Sequence, residues 1–215
     1  MLLLAIDTSG RQGGVTLARS TDALKILESA PIRGGTFSSE LIPQISDLLN
    51  KHGYTPLQLE GLAATTGPGS FTGLRVGLTA VKGLAEVLRI PIAALTSLEL
   101  LLAAADMEDD GIGVLDAGRG EVYAALQTNG KREELLLSAS EAAAMAQSRK
   151  LRVIAADANT AAKFADAHLI DYCSSEVAAR VGFRKLQAGD TIDVLALDAN
   201  YIRKSEAEYI QKMKP

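Results

Sequence analysis

The sequence predicts an α/β protein made of two related lobes, each a mixed sheet flanked by helices. Three observations support this: the order of the apolar patterns, an approximate internal repeat, and a length of 215 residues of which 47% are hydrophobic. A chain of this length buries one large core or two smaller ones. We expect an N-terminal lobe at residues 1–106 and a C-terminal lobe at residues 107–215, whose last helix can return to the first lobe.

The first half of the chain alternates strand and helix patterns in the order βββαβαβα. Short apolar runs separated by glycine-rich turns predict strands, and the first two form a hairpin around SGRQGG. Apolar residues at helical spacing in SSELIPQISDLL predict the first helix, with Ser38 or Ser39 as its N-cap. The strands are predicted at residues 2–8, 13–19 and 25–31, and the later elements at LAATTG (strand), residues 72–88 (helix), IPIAAL (strand) and SLELLLAAA (helix).

The second half of the chain echoes the first. The stretch LAIDTSGRQGGVTLA near the start resembles VLDAGRGEVYAAL at residues 114–126, and both read as strand, aspartate, small turn and strand. The acidic, small-residue stretch AAADMEDDG at residues 103–111 predicts the junction. The repeat therefore indicates a second lobe with the topology of the first.

Each lobe carries an aspartate at the end of a buried strand, Asp7 and Asp116. Asp7, with Thr8 and Ser9 in the turn after it, can present a carboxylate and backbone N–H groups to a metal phosphate. The same residues can instead stabilise the hairpin turn through hydrogen bonds to their own backbone. Two such aspartates facing one cleft resemble the actin-like ATPase and sugar kinase fold, which is ribonuclease H-like, here with a reduced second lobe.

The glycine-rich loop GPGSFTGLR at residues 67–75 matches neither the P-loop nor the dinucleotide-binding fingerprint. Ser70 or Thr72 can cap the helix that follows. That helix has small residues near one face and an apolar stripe on another. The small face either packs on the helix's own sheet or receives a second helix. The small residues are Gly73, Gly77, Ala80 and Gly83, and the stripe is Leu74, Leu78, Val81, Ala85 and Leu88.

Charge and composition exclude several classes of function. A formal net charge of −4 argues against a chain that grips nucleic acid alone through a broad basic face. His52 and His168 have no second histidine or cysteine at metal-binding spacing, so no metal site is predicted. No segment has the apolar length of a membrane helix, and we expect the cytoplasm.

Four stretches of the sequence resemble one family. LLLAIDTS, GPGSFTGLRVGLTAVKGLA, DAGRGEVYAA and YIRKSEAE are similar to the TsaB (YeaZ) family, the bacterial accessory subunits of tRNA threonylcarbamoyladenosine synthesis. The resemblance covers residues 2–208. It implies the actin-like two-lobed fold, no catalysis by this chain, and pairing with the catalytic relative TsaD.

The resemblance also implies where partners and ligands bind. The first two helices would pack against a matching pair in TsaD, or against a second copy when the chain is alone. TsaE would join the larger complex, tRNA would bind only through the complex, and ATP or ADP with Mg would bind only there. Asp7, Thr8, Ser9 and Asp116 would be a vestigial nucleotide or phosphate site. The expected interface comprises Leu41, Ile42, Ile45, Leu49, Ser70, Phe71, Thr72, Gly73, Arg75, Val76, Gly77 and Ala80.

Two other functions compete with this one. An independent ATPase or kinase would use Asp7 and Asp116 around magnesium, but only residues 112–215 remain after the junction for a substrate lobe. A metallopeptidase would need His-Glu-x-x-His, which the sequence lacks. Phe37 stands where the family often has histidine, and the chain has no His-x-x-x-His pair of the kind found in the catalytic relatives.

Overall fold

The computed structural model describes residues 1–107, 109–171 and 174–202. Its elements follow the order βββαβαβα twice, which confirms the order expected for the first half and the repeat in the second. The first half contains β1 (Leu2–Asp7), β2 (Gln12–Ser20), β3 (Leu24–Arg33), α1 (Phe37–Lys51), β4 (Gly61–Gly67), α2 (Phe71–Leu88), β5 (Ile92–Thr96) and α3 (Ser97–Ala104). The second contains β6 (Gly111–Gly118), β7 (Glu121–Thr128), β8 (Lys131–Ser138), α4 (Ala139–Arg149), β9 (Arg152–Ala155), α5 (Ala158–Ala161), β10 (Ala167–Leu169) and α6 (Ser174–Gln187).

The two sheets have the same topology. The first has the strand order β3-β2-β1-β4-β5 and the second β8-β7-β6-β9-β10. In each, the central strand is antiparallel to the hairpin strand after it and parallel to the strand that follows the first helix. β9, β10 and α5 are short, so the second lobe is the smaller one. This arrangement is the two-lobed actin-like fold that the sequence predicted.

Helices and sheets alternate in layers. α1 and α2 cover one face of the first sheet, and α6 with α3 covers the other. α3 also packs on the second sheet, whose remaining face is covered by α4 and α5. α6 belongs to the second half of the sequence, yet it packs against β1, β2, β4 and β5 of the first lobe.

The position of β1 at the centre of the first sheet explains its apolar sequence. Every residue of β1 is buried. Leu2, Leu4 and Ile6 join the core under α1 and α2, whereas Leu3 and Ala5 join the core under α6. Because strand side chains alternate between the two faces, a strand covered on both faces needs an unbroken apolar run.

The start of α1 differs from the expectation. The N-cap is Thr36, and its hydroxyl donates to Arg33 O instead of capping the helix. Ser38 and Ser39, the expected caps, lie inside the first turn and are exposed. The helix begins at Phe37, ahead of both serines, because the Phe37 side chain is buried in the core.

The start of α2 confirms Ser70 as N-cap, because its hydroxyl accepts the N–H of Gly73 at 3.2 Å. Two of the small residues of this helix, however, point inward. Gly73 and Gly77 are buried against Thr8 at the end of β1, and a Cβ at either position would overlap Thr8 atoms. The hypothesis that these two glycines contact a partner helix is therefore wrong; they let α2 approach its own sheet.

Among the residues that the structure describes, none of the helices combines the length and hydropathy that a membrane span requires.

Substitutions on α2 test the inward role of its glycines. Gly73→Ala would force the new methyl group into the Thr8 carbonyl, and we expect a loss of about 1–3 kcal/mol in the free energy of unfolding. Gly83→Ala is the matched control, because Gly83 is exposed on the same helix with open space beside it. There we expect a gain of up to about 1 kcal/mol from helix propensity. Urea unfolding measures both; equal stability of the two variants would contradict the close contact.

Candidate functional site

The turn after β1 carries the three polar residues expected to form a phosphate site. Asp7 is buried, and its Oδ1 accepts a hydrogen bond from the Ser9 N–H at 2.8 Å. Thr8 Oγ1 donates to Gly73 O at 2.7 Å, and Ser9 O accepts from the Ser70 N–H at 2.6 Å. These groups hold the turn and the start of α2 together, a structural role that Asp, Thr and Ser often have in turns.

The aspartate of the second lobe has different surroundings. The Asp116 side chain is 49% exposed, and its Oδ1 lies 2.7 Å from Lys163 Nζ. This hydrogen bond is the main cause of the lowered pKa of Asp116. The positive charges of Lys163 and Arg11 lower the pKa further. Arg11 belongs to the turn between β1 and β2, so the structure brings the first turn of one lobe near the aspartate of the other.

The charges beside Asp116 affect which ions could bind there. An anion there would meet the positive charges of Lys163 and Arg11, whereas a magnesium ion would compete with Lys163 for Asp116. Within residues 1–107, 109–171 and 174–202, no three His, Cys, Asp or Glu side chains cluster as a metal site would require. His52 follows the end of α1, and its Nε2 lies 2.9 Å from a carboxylate oxygen of Glu28.

A groove runs between α1 and α2 on the outer face of the first lobe. It encloses about 470 Å³ and is mostly apolar. Ile42 is 58% exposed beside it, and Phe71 at the start of α2 is 52% exposed. Its lining residues are Phe37, Ser38, Leu41, Ile42, Arg75, Val76, Thr79 and Ala80.

The structure divides the expected interface into an outer and an inner set. The outer set comprises the exposed Ile42, Ser70, Phe71, Thr72 and Arg75, with Val76 and Ala80 partly buried. The inner set is buried within the lobe and comprises Leu41, Ile45, Leu49, Gly73 and Gly77. Leu41 still lines the floor of the groove. The assignment of Ile45 and Leu49 to the interface is wrong, because both side chains pack in the lobe's own core.

An aromatic cluster at one end of the groove includes a residue that sequence reasoning missed. The rings of Phe71 and Tyr201 have centroids 5.6 Å apart at 40°. The Arg75 guanidinium carbon lies 3.7 Å from the centre of the Phe71 ring. Tyr201 stands in the stretch YIRKSEAE, of which residues 203–208 lie outside the described residues. Nothing in the local pattern around Tyr201 indicates that it reaches α2.

Tyr201 is held there by the segment at residues 190–202, which returns along the first lobe after α6. Ile192 bridges Ile92 at the edge of β5, and Leu197 is fully buried. Asn200 donates through its N–H to Thr66 O at 2.7 Å and through Nδ2 to Glu134 Oε2 at 2.8 Å. This segment therefore joins both lobes next to the groove.

The repeated topology and the layered sheets define a two-lobed protein of the actin-like class. Residues 34–149, more than half of the chain, match the family model described as "TsaD: tRNA N6-adenosine threonylcarbamoyltransferase". The chain therefore belongs to this family.

Similar proteins confirm the resemblance to TsaB (YeaZ). The chain is 39% identical over 140 residues to the tRNA threonylcarbamoyladenosine biosynthesis protein TsaB of Bacillus subtilis, covering 63% of this chain and 60% of that protein. It is 31% identical over 126 residues to the TsaB of Escherichia coli, covering 57% and 53%. The matches to these curated relatives thus span between half and two thirds of their length.

A solved structure shows the same fold. The crystal structure of an uncharacterized protein with similarity to peptidase YeaZ from Pseudomonas aeruginosa superposes with a TM-score of 0.77 at 22% identity. The superposition covers 94% of this chain and 99% of that one.

The pair of Asp116 and Lys163 makes stability depend on pH. Because the pKa of Asp116 is lowered in the folded chain from its ordinary value of 3.8, its ion pair stabilises the fold fully above that pH and stops doing so as the pH falls through the lower, folded value. We expect Asp116→Asn to reduce the free energy of unfolding by at most about 1 kcal/mol at pH 7, with a difference that shrinks toward pH 3. Urea unfolding at both pH values measures this.

The control for this experiment is Asp22→Asn, which removes the same charge from an exposed turn. If Asp116→Asn and Asp22→Asn had the same effect at both pH values, the ion pair would have no role in stability.

Proposed function

We propose that this chain is a non-catalytic subunit of tRNA threonylcarbamoyladenosine biosynthesis and that it activates TsaD by pairing with it. The observation that carries the proposal is the apolar groove between α1 and α2. The family of the chain and its curated relatives are named for that tRNA modification. The groove would receive helices of TsaD, and the modification would be threonylcarbamoyl transfer to the adenosine next to the anticodon.

The exposure of the groove supports a docking role. Ile42 and Phe71 are more than half exposed at its edges, although they are large apolar side chains. An apolar surface of this kind on a folded chain commonly marks an interaction site, and aromatic and arginine side chains often dominate such sites. Phe71 and Arg75 supply both types at the start of α2.

The two aspartates support a role without catalysis by the chain alone. Asp7 is buried and bonded within its own turn, and Asp116 is paired with Lys163. An ATPase of this fold would need both carboxylates available around the metal phosphate. ATP or ADP with Mg would therefore bind only in the assembled complex, and the isolated chain would have no cofactor.

The charge of the chain supports an indirect contact with tRNA. At a net charge of −4, the chain would add few phosphate contacts, so most of the affinity for tRNA would come from the complex. We propose that TsaE joins this complex, that the chain forms a homodimer when alone, and that it works in the cytoplasm.

Reconstitution with TsaD from the same organism tests the pairing. We expect Ile42→Asp to weaken TsaD binding about thirtyfold, because a carboxylate replaces an apolar contact worth about 2 kcal/mol. Formation of threonylcarbamoyladenosine should fall in parallel. Calorimetry measures the first quantity, and mass spectrometry of tRNA nucleosides measures the second.

The matched control is Val87→Asp, because Val87 is 78% exposed on α2 but does not line the groove. It should bind TsaD as the unaltered chain does. If both variants bound equally well, α1 and α2 would not form the interface; if the unaltered chain neither bound nor activated TsaD, the proposed function would be wrong.

An ATPase assay tests the absence of catalysis. We expect the purified chain with ATP and Mg to show no hydrolysis above background. Asp7→Asn keeps an oxygen that can accept from the Ser9 N–H, so this variant is a suitable control for the fold. Steady hydrolysis that Asp7→Asn abolishes would show that the chain is an independent ATPase.

A further inference from the structure

Arg75 is fixed in position at the rim of the groove. Its guanidinium carbon lies 3.7 Å from the centre of the Phe71 ring, and the centre of that ring lies 5.6 Å from the centre of the Tyr201 ring. A guanidinium stacked on an aromatic face loses part of its rotamer freedom before any ligand arrives. The side chain is therefore prepared to bind in one orientation.

Arg75 forms no ion pair within the part of the chain that the structure describes. No hydrogen bond or ion pair joins it to another of these residues, and it is the one charged side chain among the described residues that line the groove. It also lines a smaller neighbouring cavity of about 240 Å³, where Asp198 and Lys82 contribute opposite charges. The groove is thus an apolar surface with a single positive charge at its edge.

We infer that Arg75 binds a carboxylate carried by an otherwise apolar helix of the partner, and that this ion pair selects the partner and its orientation in the groove. The inference rests on the proposed function, since the partner is the protein that fills the groove. A guanidinium presents two parallel N–H donors that match the two oxygens of a carboxylate. Docking would remove part of the water around the pair and strengthen it.

The surroundings favour a protein carboxylate over an RNA phosphate. The other lining residues are apolar or uncharged, and they suit the apolar face of a helix. An RNA backbone would instead require several cations to neutralise successive phosphates. Among the residues that line the groove, Arg75 supplies a single cation.

The surroundings also favour a different protein over a second copy of this chain. In a two-fold dimer the same patch meets itself. None of the described residues lining the groove carries a carboxylate, so the lining of a second groove would offer Arg75 no countercharge. A different protein that carries a carboxylate would therefore be preferred over a second copy, even if the chain pairs with itself when alone.

The test compares Arg75→Met and Arg75→Lys with the unaltered chain in calorimetric titrations of TsaD from the same organism at low and high salt. We expect Arg75→Met to weaken binding about tenfold or more and to reduce its salt dependence. Arg75→Lys should recover only part of the affinity, because an ammonium cannot form the paired hydrogen bonds. Arg149→Met, which removes the same charge from the exposed end of α4, should bind normally.

Two further measurements separate the alternative partners. Sedimentation equilibrium of Arg75→Glu should show self-association no weaker than that of the unaltered chain, and tRNA binding by the assembled complex should keep its salt dependence in Arg75→Met. Weakened self-association with unchanged TsaD binding would overturn the inference in favour of a second copy. Weakened tRNA binding with unchanged TsaD binding would overturn it in favour of RNA.

The remaining outcomes distinguish this inference from the function on which it rests. If the unaltered chain binds TsaD and Arg75→Met binds equally tightly at both salt concentrations, the carboxylate contact is wrong while the proposed function stands. If the unaltered chain does not bind TsaD, both are wrong. Circular dichroism of each variant confirms that the fold is intact, as the exposed position of Arg75 leads us to expect.

Discussion

The contact between the start of α2 and the turn after β1 determines both surfaces of the first lobe. Thr8 Oγ1 donates to Gly73 O, and Ser9 O accepts from the Ser70 N–H. These bonds use polar groups that the turn would otherwise offer to a ligand. They also fix the direction in which α2 leaves the sheet, so that Phe71 points outward beside the groove. Polar groups of a turn that could have bound a ligand therefore position a helix in this protein.

Much of the fold could be predicted because local patterns agree with the tertiary structure. The unbroken apolar run of β1 reflects burial on both faces, and the echo around Asp116 reflects a second sheet of the same strand order. The start of α1 could not be predicted in this way. Thr36, Ser38 and Ser39 are all suitable caps, and the choice among them depends on the burial of Phe37 against strands that lie elsewhere in the sequence.

The candidate docking face was predictable in part, since helical spacing identifies α1 and α2 but not which residues each helix buries in its own lobe. Periodicity shows that Ile45 belongs to an apolar stripe, and only the sheet beneath it shows that this stripe faces inward. Gly77 is a similar case, because small residues allow close contact on either side of a helix. Tyr201 could not be found at all, because its contact with Phe71 joins distant parts of the chain.

The Glu134 carboxylate has a consequence for the motion of the lobes. It lies on β8 of the second lobe and accepts hydrogen bonds from Thr96 of the first lobe and from Asn200 of the returning segment, while Arg132 on the same strand pairs with Glu99 of α3. A hinge movement would have to break these bonds together. These bonds therefore oppose a change in the angle between the lobes, and a protein that docked on α1 and α2 would meet a surface that belongs to one lobe. Its association would then lose little conformational entropy through a closing of the lobes.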